Sequence, residues 1–526
     1  MRRPRSRSSV QSASSDAPPA TRMSAPAPLV SVLDRWGGWL LAVATLAVYS
    51  ATLGAGFLSY DDPWLVETNP LLDLDFARFV VAIFSDFQRA TRLALGAEFL
   101  PLRDLLLWCE VRAFGRTPEA MHLVSVVLFV LACVALRDAL RATFTSRRTA
   151  EFTAWAFAMS PVHVESVAWI ANQKDVLALL FSALALRSAT RADSPKTLVT
   201  ATLFACAVLA KAMAIAALPL VVAFAWAKGR PLNRRTFAAL GLVAISLAAV
   251  HVHAGGIVRM TTTMLGGSRL AALSTMGPVF VRYLRASLDP SVLSIAYDVN
   301  VRSAGDVAGL GSWSVFAIWL AAGWKLRSRR PAILVGAIVF LTALAPVSHV
   351  VVSLANLMAD RYLCLAVLGP LLVVGEAATL LGSRVFANGA VAVATIALGA
   401  ATASRTLLFA DETLLWTQAV SRTQRSTLAP FALGVALEKA GRDEPAIASY
   451  RETLRRATSR DLYARNATNN LAHALVRTGS IDAAEALLVE RVREFPDDPK
   501  MVGNLAKVRR LKARLDVAAS SDAPPP

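Results

Sequence analysis

The feature that most constrains this chain is a succession of apolar runs close to the ~20 residues a helix needs to cross the hydrocarbon core of a bilayer. Eleven can be drawn, at about 36–57, 119–138, 150–166, 174–190, 197–211, 212–227, 236–254, 309–325, 331–349, 361–381 and 385–403. Inside lipid each backbone N–H and C=O needs an internal partner, so continuous runs of this kind fold as helices. Composition agrees: 55% of the 526 residues are hydrophobic and only 17% are charged, against about 25% charged in soluble domains. The expected fold is all-α, a polytopic transmembrane helix bundle of about eleven spans followed by a soluble C-terminal part.

The net charge of +18 follows the loops and does not form a nucleic-acid footprint. Residues 1–34 are rich in Arg, Ser, Pro and Ala without apolar periodicity, the signature of a disordered tail. With that tail cytoplasmic, the inner loops carry Arg137, Arg141, Arg147 and Arg148, then Arg187, Arg191 and Lys196. Lys228, Arg230, Arg234 and Arg235 follow, and then Lys325, Arg327, Arg329 and Arg330. The alternation obeys the positive-inside rule and leaves the C-terminus extracytoplasmic, in a multi-pass protein of the cell membrane. The count is least determined over 271–300. Cys109, Cys133, Cys206 and Cys364 form no CxxC pair and read as small apolar packing residues.

The first run leads into "FLSYDDPWLVETNP" (57–70), which opens an external segment, 58–118. In it "FARFVVAIFSDF" and "LPLRDLLLWCEVRAF" have helical apolar spacing with charges between, as expected of helices lying at the membrane surface. The bundle domain covers 35–405, and 406–427 is a connector. Residues 428–512 repeat: Asn470-Leu471-Ala472 and Asn504-Leu505-Ala506 lie 34 residues apart, and Gly441 and Gly479 lie 38 apart. The 34-residue period is that of tetratricopeptide helix pairs. Two repeats and a trailing helix are expected there, as a surface for protein partners, with a disordered tail over 513–526.

Charge within or against a span is costly and marks candidate function. Four places stand out: Asp61-Asp62; "SPVHVESVAWIANQKD" with His163, Glu165, Gln173, Lys174 and Asp175; Lys211, alone among apolar residues; and Asp360, Arg361 and Tyr362. All map to the outer leaflet in the topology above. Asp62-Pro63 also reads as a helix N-cap followed by proline, which would leave Asp61 free. Outward carboxylates beside several cations at headgroup depth suit group transfer from a lipid-linked phosphate donor. The cations hold the phosphate, and a carboxylate takes the proton of an acceptor hydroxyl.

"YDDPWLVETNP", "LPLRDL", "PVHVESVAWIANQKDVLALLF", "LAKAMAIAALPLVV", "PSVLSIAY", "MADRYLCL" and "RTLLFADETLLWTQAV", in this order, resemble one family. It is the bacterial tetratricopeptide-repeat membrane glycosyltransferases, related to the eukaryotic transmembrane-and-tetratricopeptide O-mannosyltransferases of the type-C glycosyltransferase superfamily. The resemblance implies a polyprenyl-phosphate-linked sugar as donor, a protein Ser or Thr as acceptor and an inverting transfer outside the cytoplasm. It implies a base at Asp61 or Asp62 and donor-phosphate contacts at Lys174, Lys211 and Arg361. His163, Glu165, Asp175 and Tyr362 would then be substrate-binding supports. Whether a divalent metal takes part stays open. A non-catalytic scaffold recruiting partners through its repeats, and a transporter of lipid-linked intermediates, are the competing classes.

Overall fold

The computed structural model describes residues 28–191, 196–258, 264–350, 354, 356–380, 384–458, 461–496 and 498–521. The expected tails 1–27 and 522–526 lie outside the described residues. The chain divides into two units, 1–40 and 41–526; the described part of the first is the opening of helix α1, Pro28–Tyr49. Every regular element among the described residues is helical.

The segment after α1 holds α2 (Phe76–Phe84), α3 (Arg89–Ala94) and α4 (Pro101–Phe114). Next come α5 (Pro118–Thr143), α6 (Arg147–Ala158), α7 (Val164–Val167), α8 (Gln173–Arg191), α9 (Thr197–Ala210), α10 (Ala217–Ala227) and α11 (Arg234–Val258). They are followed by α12 (Arg269–Ala286), α13 (Val307–Gly311), α14 (Ser314–Leu326), α15 (Pro331–Leu344), α16 (Leu363–Ala366), α17 (Leu368–Ala378) and α18 (Arg384–Ala410). The C-terminal helices are α19 (Glu412–Arg422), α20 (Leu428–Lys439), α21 (Asp443–Arg456), α22 (Leu462–Arg477), α23 (Ile481–Glu494) and α24 (Pro499–Ser521).

All eleven apolar runs are helical, but they differ in reach. Among the described residues five helices are long and apolar enough to cross a membrane: Arg35–Gly54, Pro118–Thr143, Arg234–Gly256, Val307–Leu326 and Asn388–Ala410. Two more qualify only as bent pairs, Arg147–Val167 with Ile170–Arg191 (118°) and Asp360–Ala366 with Leu368–Ala378 (51°). The first break, between Val167 and Ile170, falls in "SPVHVESVAWIAN", and the second, at Val367, follows "MADRYLCL". Region 271–300 resolves into α12, with Pro278 inside it, and an extended stretch.

Leu242 and Ile245, Val315 and Ile318, and Val393 and Ile396 lie three residues apart on their helices and are exposed. Such apolar rows face outward where hydrocarbon, not water, is the solvent. Elsewhere helices approach through glycine: a Cβ on Gly336 would lie 2.6 Å from the Gly369 carbonyl, and one on Gly369 2.4 Å from that of Gly336. These small residues let α15 and α17 cross almost backbone to backbone.

The two periodic glycines also have a structural cause. Gly441 and Gly479 follow the ends of α20 and α22 with φ of 71° and 81°. At each, the next residue donates back across the turn, Arg442 N to Leu437 O (2.9 Å) and Ser480 N to Leu475 O (2.8 Å). This Schellman closure needs a left-handed residue, which glycine supplies without strain. The helices α20–α24 enclose their own apolar cluster, including Ile447, Tyr450, Leu471, Leu475, Leu488 and Met501.

Candidate functional site

One small cavity, of about 40 Å³, is lined by Asp175, Lys211, Arg361, Tyr362 and Cys364, with residues of α8, of the short turn after Lys211 and of α15 around them. A lone cation there would be costly, because an unpaired charge removed from water loses several kcal/mol. Each is paired. Lys211 is bonded to Asp175, which also accepts from Ser166 Oγ at 3.2 Å. Arg361 donates from its guanidinium to Glu165 at 2.5 Å, and its backbone N–H donates to the other Glu165 oxygen at 3.2 Å. The guanidinium also lies 5.4 Å from the Trp169 ring and 5.3 Å from that of Tyr362, so salt bridge and stacking fix its plane.

Lys174, next to Asp175, points to a different acid. Its ammonium donates to Glu98 at 2.5 Å, and Arg103 of the "LPLRDL" stretch stands 3.7 Å from the same carboxylate. Burial works upward on the Glu98 pKa, but Lys174 and Arg103 outweigh it and hold the group at about 2. Asp61 completes the cluster. Its half-buried carboxyl lies within electrostatic reach of both Lys174 and Arg361; burial raises its pKa while those two charges pull against the rise.

The Asp pair therefore divides. Asp62 is fully buried and makes no side-chain cap on the turn that begins at Pro63. Its oxygens instead accept from Leu58 N at 2.9 Å and from Ala171 N at 2.7 Å. It staples the loop after α1 to the stretch between α7 and α8, and burial pushes its pKa up to about 7. The N-cap expected from Asp-Pro is absent, because two backbone donors from elsewhere already occupy the carboxylate.

Other expected residues lie apart from the cavity. His163 is buried between Phe129 and Phe157, with ring centroids at 5.0 and 4.3 Å. Gln173 donates to Glu110 at 3.0 Å and to the Met121 carbonyl at 2.8 Å, tying α8 to α4 and α5. Asp360 turns away to Arg405 at 2.6 Å and to Tyr297. Sequence reasoning missed Glu98, Trp169 and Arg405. Trp169 lay inside a motif already singled out, whereas Glu98 sits in a polar loop where an acid is unremarkable. Among the described residues no group of three or more His, Cys, Asp or Glu is placed to hold a metal ion.

The arrangement offers cations with acidic partners that orient them around a small cavity, and one carboxyl within electrostatic reach of Lys174 and Arg361. Residues 101–254 match the family of dolichyl-phosphate-mannose-protein mannosyltransferases. That segment carries Arg103, Glu165, Lys174, Asp175 and Lys211, while Asp61 and Arg361 fall outside it. The chain is 32% identical over 155 residues to protein O-mannosyl-transferase TMTC1 of Mus musculus, and 31% identical over 156 residues to that of Homo sapiens. Each match covers 29% of this chain and 16% and 18% of the two relatives, so the chain spans less than a fifth of their length in the matched region. No solved structure matches. Over this segment the chain is similar to the glycosyltransferases of the protein-mannosyltransferase group.

Proposed function

We propose that the protein is a membrane glycosyltransferase moving a sugar, mannose in the first instance, from a polyprenyl-phosphate-linked donor to an acceptor hydroxyl. The acceptor is a Ser or Thr of a protein on the extracytoplasmic side of the cell membrane. The observation that supports this reading is that Lys211 and Arg361 line one cavity while Asp61 lies within electrostatic reach of Arg361 and Lys174.

The donor phosphate lies at Lys211 and Arg361, with Lys174 beside it and the lipid chain between apolar helices. Glu165, Asp175 and Glu98 keep the cationic heads in place before the donor arrives, so little reorganisation is needed at the moment of reaction. Asp61 removes the proton as the acceptor oxygen bonds to the anomeric carbon. The bond from that carbon to the phosphate oxygen breaks, and its electron pair leaves with the polyprenyl phosphate. The phosphate gains negative charge in this step, so the cations bind the transition state more tightly than the ground state. A raised carboxyl pKa makes Asp61 a stronger base. One displacement at the anomeric carbon inverts its configuration. Tyr362 walls the cavity; Asp62 shapes the loop and His163 packs the core behind it.

The test is the purified full-length protein in lipid, given polyprenyl-phosphate mannose and a Ser/Thr peptide. Glycopeptide and free polyprenyl phosphate should appear in equal amounts by mass spectrometry. Absence of peptide-linked sugar across a panel of polyprenyl-phosphate sugars overturns the reading.

A further inference from the structure

The loop that carries Asp61 lies along the C-terminal helices, touching them at three successive points. Lys439, at the end of α20, donates from Nζ to the Phe57 carbonyl at 3.0 Å. Glu412, at the start of α19, accepts from the Ser59 backbone N–H at 2.6 Å and from its hydroxyl at 3.0 Å. The Tyr60 ring sits 6.1 Å from that of Trp416, and its hydroxyl is 3.4 Å from that of Tyr463 on α22. Tyr463 is half-buried, rests on Phe431 at 5.7 Å between ring centroids, and feels the charge of Asp61. Beside the same loop runs a groove of about 400 Å³, lined by Phe57, Leu58, Phe409, Glu412, Ala436 and Lys439 among others.

We propose that Tyr463 contacts the acceptor, and that an extended, hydroxyl-bearing peptide runs from this groove along residues 57–60 to Asp61. The proposal rests on the glycosyltransferase reading and names the side from which its acceptor comes. The groove has apolar walls for side chains, with Glu412 and Lys439 of opposite charge to meet amides and charged groups. That mixture suits a polypeptide. A nucleic acid would meet Asp411 and Glu412, and a lipid tail would meet both charges. The Tyr463 hydroxyl can donate and accept, and its 3.4 Å contact with Tyr60 is long enough to be exchanged for a peptide carbonyl or hydroxyl.

The experiment uses the full-length protein in lipid with a fluorescent Ser/Thr-rich peptide. Peptide binding is measured by anisotropy without donor, and KM for peptide and donor is measured during transfer. Tyr463→Phe loses one hydrogen bond, about a two- to tenfold weakening, and Tyr463→Ala should weaken the peptide by tenfold or more. Donor KM should stay at the wild-type value in both, and the thermal midpoint should stay there in Tyr463→Phe, which keeps the ring on Phe431. Unchanged peptide affinity and KM in both variants, a donor KM that rises in step, or no peptide binding by the wild type each overturns the proposal. Peptide binding without any sugar transfer would instead remove the glycosyltransferase reading and leave the peptide surface standing.

Discussion

Asn replacements at Asp61 and Asp62 should separate chemistry from architecture, although the two residues are neighbours of identical type. Asp61→Asn keeps shape and removes the base. General-base catalysis contributes typically 10²–10⁴-fold, so kcat should fall by that factor, about 3–5 kcal/mol of barrier at 1.36 kcal/mol per tenfold. The thermal midpoint should hardly move, because the side-chain hydrogen bond at that carboxylate is with Trp64 of the same loop, and an amide oxygen can still accept from the indole N–H. Asp62→Asn should do the reverse. Its two oxygens each accept one backbone N–H, and an amide presents an NH₂ to one of them. An unsatisfied buried donor costs about 1–3 kcal/mol, which should appear as a lower midpoint with kcat within a fewfold of wild type. The pH dependence adds a signed check. The base works only when deprotonated, so activity falls as pH drops through the raised Asp61 pKa. Lys174→Met removes a charge that lowers that pKa and should move the acid limb to higher pH. Asp62 has a folded pKa of about 7 against an ordinary 3.8. The folded state therefore binds its proton more readily between those values, and wild-type stability declines as pH rises from about 4 to 7. Asp62→Asn should flatten that window. Full transfer by Asp61→Asn, or loss of kcat in Asp62→Asn at an unchanged midpoint, refutes the division of roles.

Removing one partner of the buried Glu165–Arg361 pair, by Glu165→Gln or Arg361→Met, should destabilise by about 3–5 kcal/mol in denaturant unfolding monitored by tryptophan fluorescence. The double variant should recover part of that loss yet stay inactive, and simple additivity would show that the pair is not coupled. Gly336→Ala puts a methyl 2.6 Å from the Gly369 carbonyl and should cost about 1–3 kcal/mol by overpacking, seen as a lower thermal midpoint, whereas Gly389→Ala, with open space at its Cβ, should be silent.

How much of this was legible depends on what kind of anomaly each residue presented. Lys211, Asp175, Glu165 and Arg361 stood out because charge is expensive among apolar residues, and each lies at the cavity or holds a residue that does. The glycines at 441 and 479 stood out by period, and both turned out to close their helices in the left-handed region. Glu98 and Tyr463 gave no signal, since an acid in a loop and a tyrosine in an amphipathic helix are ordinary. Their importance comes from partners 76 and 403 residues away, a separation that no local pattern encodes. Anomaly reports cost and leaves role undetermined. Asp175 and Asp360 are both buried carboxylates, each bonded to a cation across a break in helix. Lys211, the partner of Asp175, lines the cavity, whereas Arg405, the partner of Asp360, does not. His163 shows the same from the other side: a polar ring in an apolar run, flagged like the lysines, and enclosed by two phenylalanines. What separates a binding group from a packing group here is the direction its partner faces: Lys211, at the junction of α9 and the turn that follows, faces the cavity, whereas Arg405, within α18, does not line it.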